Sequence, residues 1–181
     1  EMCIRDRRGI ALAGSISVVL ATGAFGEQAA PQDILFGIRH IFPAATKIGV
    51  VYPPSQQKKA FEFQDLGAKE GYEVLIGAVK KAKQIKEVYN GMYQAGIKVL
   101  VLLGTDPVLD KTLPFLIKAS RRDFLPVIGS KEEHVKEGLA LAMVKSSDGK
   151  WYIAVNDKVC RRLAIKFGEK VQPLLRSIAA Q

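Results

Sequence analysis

Four polar residues stand where this chain could do chemistry: Ser55, Thr105, Asp106 and Ser130. Each closely follows a short apolar run, in the segments Tyr52-Pro53-Pro54-Ser55, Leu103-Gly104-Thr105-Asp106 and Gly129-Ser130. Hydroxyls and a carboxylate can hold a solute by hydrogen bonds and one charge, but covalent chemistry needs more. A phosphate cradle requires glycines and a lysine ahead of a helix, and residues 52–57 (YPPSQQ) contain no glycine. A serine hydrolase shows Gly-x-Ser-x-Gly, and Ser15, Ser55 and Ser130 all sit in other contexts. Magnesium would lack ligands where Pro53-Pro54 replaces an acidic pair. Cys160 lies among Val159, Leu163 and Ala164, the setting of a small buried hydrophobe. With only His40 and His134 besides, zinc would need an unusual ligand set. The expectation is a non-covalent site with no metal and no cofactor. Each residue also has a structural use: Ser55 and Ser130 suit helix caps, Asp106 a turn. Tyr52, at the loop mouth, could stack on a ligand or pack inward.

These residues need elements to position them. Lys47–Tyr52 (KIGVVY), Glu73–Val79, Lys98–Leu103 (KVLVLL), Pro126–Gly129 and Leu139–Val144 read as buried strands. Helical stretches separate them over Gln56–Glu70, Lys83–Ala95, a region around Pro114 capped by Thr112, and Lys131–Lys136. A leading helix is expected over Gln32–Ile41, and Trp151–Ala180 reads as mostly helical. In that last segment Val155, Val159, Leu163 and Phe167 recur four apart as one apolar stripe. Strands alternating with helices imply right-handed crossovers and a parallel sheet covered on both faces. The fold class is therefore α/β, a three-layer doubly wound parallel sheet of about five strands. Such sheets bind ligands beyond the carboxyl ends of their strands. That rule selects Ser55, Thr105, Asp106 and Ser130 together.

Arg7-Arg8 followed by the apolar run Ile10–Leu20 has the layout of an export signal. Ala24 and Gly26 are small residues ahead of a cut before Glu27. Residues 1–26 are accordingly expected to be a signal peptide, and residues 27–181 a single α/β domain with one core. The location implied is periplasmic. The formal charge is +9, and residues 1–26 hold three basic and two acidic groups, so most of the surplus lies beyond them. The lysines are scattered, as on solvated helix faces, and no nucleic-acid motif accompanies them, so nucleic acid is not expected as a partner.

The segments KIGVVYPPS (Lys47–Ser55), GYEV (Gly71–Val74), LLGTD (Leu102–Asp106), PVIGS (Pro126–Ser130) and HVKEG (His134–Gly138) resemble the ABC transporter substrate-binding protein family. Within it the chain looks like the branch with a type I periplasmic-binding fold, some members of which bind amino acids. The resemblance runs from about Gln32 to Phe167. It implies a non-enzymatic, exported solute-binding component of an importer, with Ser55, Thr105, Asp106 and Ser130 as ligand contacts. It also implies an inner-membrane permease or sensor protein as partner. A family member has two lobes that clamp the ligand, whereas this chain resembles the second lobe directly behind an export signal. A single lobe could rebuild a cleft as a homodimer. Alternatively it could serve as a sensory or partner-docking module, with the apolar segment Val155–Ile178 as the docking surface.

Overall fold

Between Val99 and Leu103 successive side chains enter opposite faces of one sheet. Val99, Val101 and Leu103 join one apolar cluster, Leu100 and Leu102 another, and all five are buried. Both faces of this stretch must therefore be covered, which explains why it lacks a polar residue. The computed structural model describes residues 27–178. The export-signal reading falls on residues 1–26, outside the described residues.

The chain runs β1 (Glu27–Gln28), α1 (Pro31–Ile41), β2 (Lys47–Tyr52), α2 (Gln57–Lys69), β3 (Glu73–Ala78), α3 (Ile85–Gln94) and β4 (Val99–Leu102). It continues with α4 (Pro107–Asp110), α5 (Leu113–Asp123), β5 (Val127–Gly129), α6 (Glu132–Glu137), β6 (Leu141–Lys145), β7 (Trp151–Val155), α7 (Asp157–Arg162) and β8 (Leu175–Ser177). The strand order is β3-β2-β4-β5-β6-β7-β8, with β1 paired to β6. From β3 to β6 all neighbours are parallel. These are the five strands expected from the sequence.

Ile34, Leu35 and Ile38 of α1 and Ala60 and Phe63 of α2 cover one face. Tyr89 and Met92 of α3 and Leu113 and Leu116 of α5 cover the other. From β2 the chain moves outward to β3, then returns past β2 to place β4 on its far side. The order reverses there, so a crevice opens between the carboxyl ends of β2 and β4. Tyr52 packs inward in the core and is 7% exposed.

The segment after residue 150 departs from the helical expectation. Trp151–Val155 is a strand, antiparallel to β6, with Lys145 opposite Trp151. A five-residue loop, closed by the Ser146 amide on the Lys150 carbonyl at 2.7 Å and turned at Gly149 (φ 83), makes the hairpin. Val155 thus ends a strand, and α7 stops at Arg162 before the left-handed Ala164 (φ 53). The four-residue spacing of Val155, Val159, Leu163 and Phe167 spans three different conformations rather than one helix. Val155, Val159 and Leu163 nevertheless share one core cluster. Position 112 does precede α5, but the Thr112 hydroxyl donates to the Leu109 carbonyl at 2.6 Å and caps nothing.

Candidate ligand-binding site

The crevice holds a cleft of about 570 Å³ lined by Glu27, Gln28, Gln56, Lys59, Gly104, Thr105 and Lys131. Its floor is fixed by a buried amide. The Gln28 side chain donates to the Leu102 carbonyl at 2.7 Å and accepts from the Gly104 amide at 2.7 Å. The side chain extends the sheet by one backbone-like rung where β4 has run out. β1 can deliver it because β6 is longer than β5. Past the Gly129–Ala142 pair β6 has a free edge, and Gln28 pairs there with Val144. Gly104 turns the chain with φ 98, and a β-carbon on it would lie 2.6 Å from Gln56 Cγ. Only glycine lets Gln56 lie across this turn.

Three of the four expected site residues stand on the β2 and β4 loops at this crevice, but only Thr105 is among the residues that line the cleft itself. Thr105 is exposed and lines the cleft. Ser55 Oγ stands 3.5 Å from Asp106 Oδ2, at the outer limit of a hydrogen bond, and so links the β2 and β4 loops. Asp106 caps α4 as well: its Oδ1 accepts from the Val108 amide at 2.8 Å. One carboxylate oxygen therefore serves the backbone while the other faces Ser55. Ser55 itself caps no helix, since it lies inside the short 3₁₀ turn Pro54–Gln56.

Ser130 is on the same rim but beneath the surface. It is 0% exposed, and its hydroxyl has no hydrogen-bond partner among the described residues. It does not cap α6, whose cap position is Lys131. Its amide instead donates to His134 Nδ1 at 3.2 Å, which leaves the imidazole proton on Nε2, 3.0 Å from Asp110 Oδ1. Lys131 Nζ reaches the other Asp110 oxygen at 2.8 Å. Burial pushes the His134 pKa below its ordinary value, and so it sits neutral. Burial raises the Asp110 carboxyl, but bonds from Lys131 and His134 outweigh it and hold it below the usual range. Both His134 nitrogens are occupied, so the ring is a brace between α4 and α6. Cys160 lies in α7, buried, with its thiol pushed up to about 12 by desolvation. A strand-end rule finds Ser55, Thr105 and Asp106 from sequence. Gln28 gives no such signal, because its partners lie 74 and 76 residues away.

The profile of the family described as ABC transporter substrate binding protein matches residues 14–150. This chain belongs to the ABC transporter substrate-binding protein family. A curated relative within reach is the tyrosine-binding protein of Clostridioides difficile (strain R20291), 23% identical over 104 residues. That alignment covers 56% of this chain and 30% of the relative. Among solved structures, an ABC domain in complex with L-Trp from Streptococcus pneumonia superposes with a TM-score of 0.71 at 17% identity. It covers 82% of this chain and 60% of that one. The ligand-free, open form of a Clostridium difficile substrate-binding protein with adhesive properties gives 0.69 at 16% identity, covering 86% and 61%. These likenesses show the fold. This chain spans about 60% of the length of those solved relatives.

Proposed function

We propose that the chain is an exported, non-enzymatic solute-binding component whose cleft at the β2–β4 crevice takes an amino acid or a similarly small zwitterion. The cleft carries this reading. It offers Lys59, which has no ion pair among the described residues, and the Glu27 carboxylate, likewise without one. An α-carboxylate would lie toward Lys59. An ammonium would lie toward Glu27 and the outer oxygen of Asp106. The hydroxyls of Ser55 and Thr105 would complete the polar contacts, and Ser130 would support them from below. The tyrosine-binding relative and the tryptophan complex make aromatic amino acids the first candidates. In such a receptor a second lobe or a second copy of this chain closes on the rim, and the loaded receptor meets a permease or sensor in the inner membrane. The protein is periplasmic in this reading.

Thermal unfolding with and without each amino acid is the test. Saturation at a hundred times the dissociation constant stabilises by about 2.7 kcal/mol and raises the melting temperature accordingly. Thr105→Val removes one hydroxyl from the cleft without a large change of volume, and should weaken that rise. No rise with any amino acid, while the protein remains folded, would refute the reading.

A further inference from the structure

The rim on which the strands begin holds a second hollow, at the end away from the cleft. Arg121 stands there in the last turn of α5, Lys136 and Glu137 end α6 ahead of Gly138, and α7 contributes Lys158 from its first turn and Arg162 from its last. They line about 260 Å³. Four cations and one carboxylate meet in it, and none of the five is in an ion pair among the described residues. Helix dipoles account for part of this, since Arg121 and Lys136 stand in last turns. They do not account for Lys158, a cation in the first turn of α7, four residues before the like-charged Arg162. Arg121 Nε is buried with no hydrogen-bond partner among the described residues, and its Nη2 donates to the Gly138 carbonyl at only 3.5 Å.

A second observation falls on the same rim. Phe124, the residue just past the end of α5, is 68% exposed and holds a left-handed backbone (φ 51). A β-carbon makes that conformation costly, and asparagine or glycine would be the ordinary choice. An exposed aromatic ring on the same rim as cations that have no ion pair among the described residues is the pattern that suits the headgroup layer of a bilayer. The ring partitions to the interface while the cations meet lipid phosphates.

We propose that this rim seats the protein on a bilayer rich in anionic headgroups. Arg121, Lys136, Lys158 and Arg162 surround a lipid phosphate, and the Phe124 ring enters the headgroup layer. The ligand cleft lies at the other end of the strands, clear of this contact.

The test uses the full chain carrying Phe124→Trp, titrated with vesicles of phosphatidylcholine alone or mixed with phosphatidylglycerol, part of the lipid brominated. The apolar residues 10–25 would bind vesicles on their own, so quenching of the new indole, rather than total binding, is the readout. Trp151, the natural tryptophan, lies at the opposite rim and supplies the control. Quenching of the Phe124→Trp indole by anionic vesicles, with the natural chain unquenched, is expected. Adding Lys158→Ala and Arg162→Ala, both on exposed positions, should raise the lipid needed by about fivefold per charge removed. An unquenched indole overturns the proposal, as does quenching indifferent to those two charges. Binding of a polyglutamate peptide or free phosphate at this rim, with vesicles inert, overturns it equally.

Discussion

Where the parallel strands end, Gln28, Asp106, Lys131 and His134 each hold a specific partner at hydrogen-bond distance. Where they begin, Arg121, Lys136, Lys158 and Arg162 share a hollow without an ion pair among the described residues. The first rim is organised before any ligand arrives, by bonds that fix direction. The second is organised by charge alone, which falls off with salt over about 10 Å at 0.1 M. Substitutions at the first rim should therefore register as lost stability. Those at the second should leave the fold nearly untouched.

The largest expected effect belongs to Gln28→Ala. It removes both contacts of a side chain that is buried with its residue at 7% exposure and leaves the Leu102 carbonyl and Gly104 amide without partners. Each unsatisfied buried group costs roughly 1–3 kcal/mol, so a loss of about 3 kcal/mol is expected from urea unfolding. A loss below about 1 kcal/mol would mean that water enters and satisfies the β4 end, and that the rim is less fixed than its geometry implies. Gly104→Ala follows at about 2 kcal/mol, since the new methyl meets Gln56 and the backbone stays at φ 98. If ligand affinity falls with it more than stability does, the Gln56–Gly104 contact shapes the cleft itself.

The His134–Asp110–Lys131 brace makes the first rim sensitive to acid. Because burial holds His134 below its ordinary value of about 6.5, the unfolded chain takes up that proton first as pH falls. The stability tied to the neutral ring is thus complete above about pH 6.5 and is lost below it. Asp110 is also held low, so its contribution is complete above about pH 4 and is lost on further acidification. Urea midpoints should fall in two stages on acidification. His134→Gln should abolish the upper stage and keep the lower. A single stage in the natural chain would show that the ring is not held neutral.

The sequence displays the parallel core because strands buried on both faces become unbroken apolar runs, as KVLVLL does. It displays Ser55, Thr105 and Asp106 because a topological rule marks strand ends whatever the residues there. It conceals β7 because Val155, Val159 and Leu163 fill one side of the core from a strand, a helix and a turn in succession. The spacing of four arises from depth in the core, not from a helical face. Gln28 is concealed for a different reason: its role depends on β1 pairing with the far end of β6, more than a hundred residues on.

At the second rim, Phe124→Gly gives a result of opposite sign. The left-handed backbone costs a residue with a β-carbon about 1–2 kcal/mol, while glycine loses roughly 0.5–1 kcal/mol more entropy on folding. The exposed ring gives up little packing, so a small net gain of about 0.5 kcal/mol is expected. Lys158→Ala should change stability by less than about 0.5 kcal/mol, because the side chain is exposed and in no ion pair among the described residues. Together these variants separate what the fold needs from what the surface retains. A rim that becomes more stable when its aromatic is removed has not kept that aromatic for folding. A loss on Phe124→Gly comparable to that of Gln28→Ala would instead make the ring a structural element, and the contrast between the two ends would collapse.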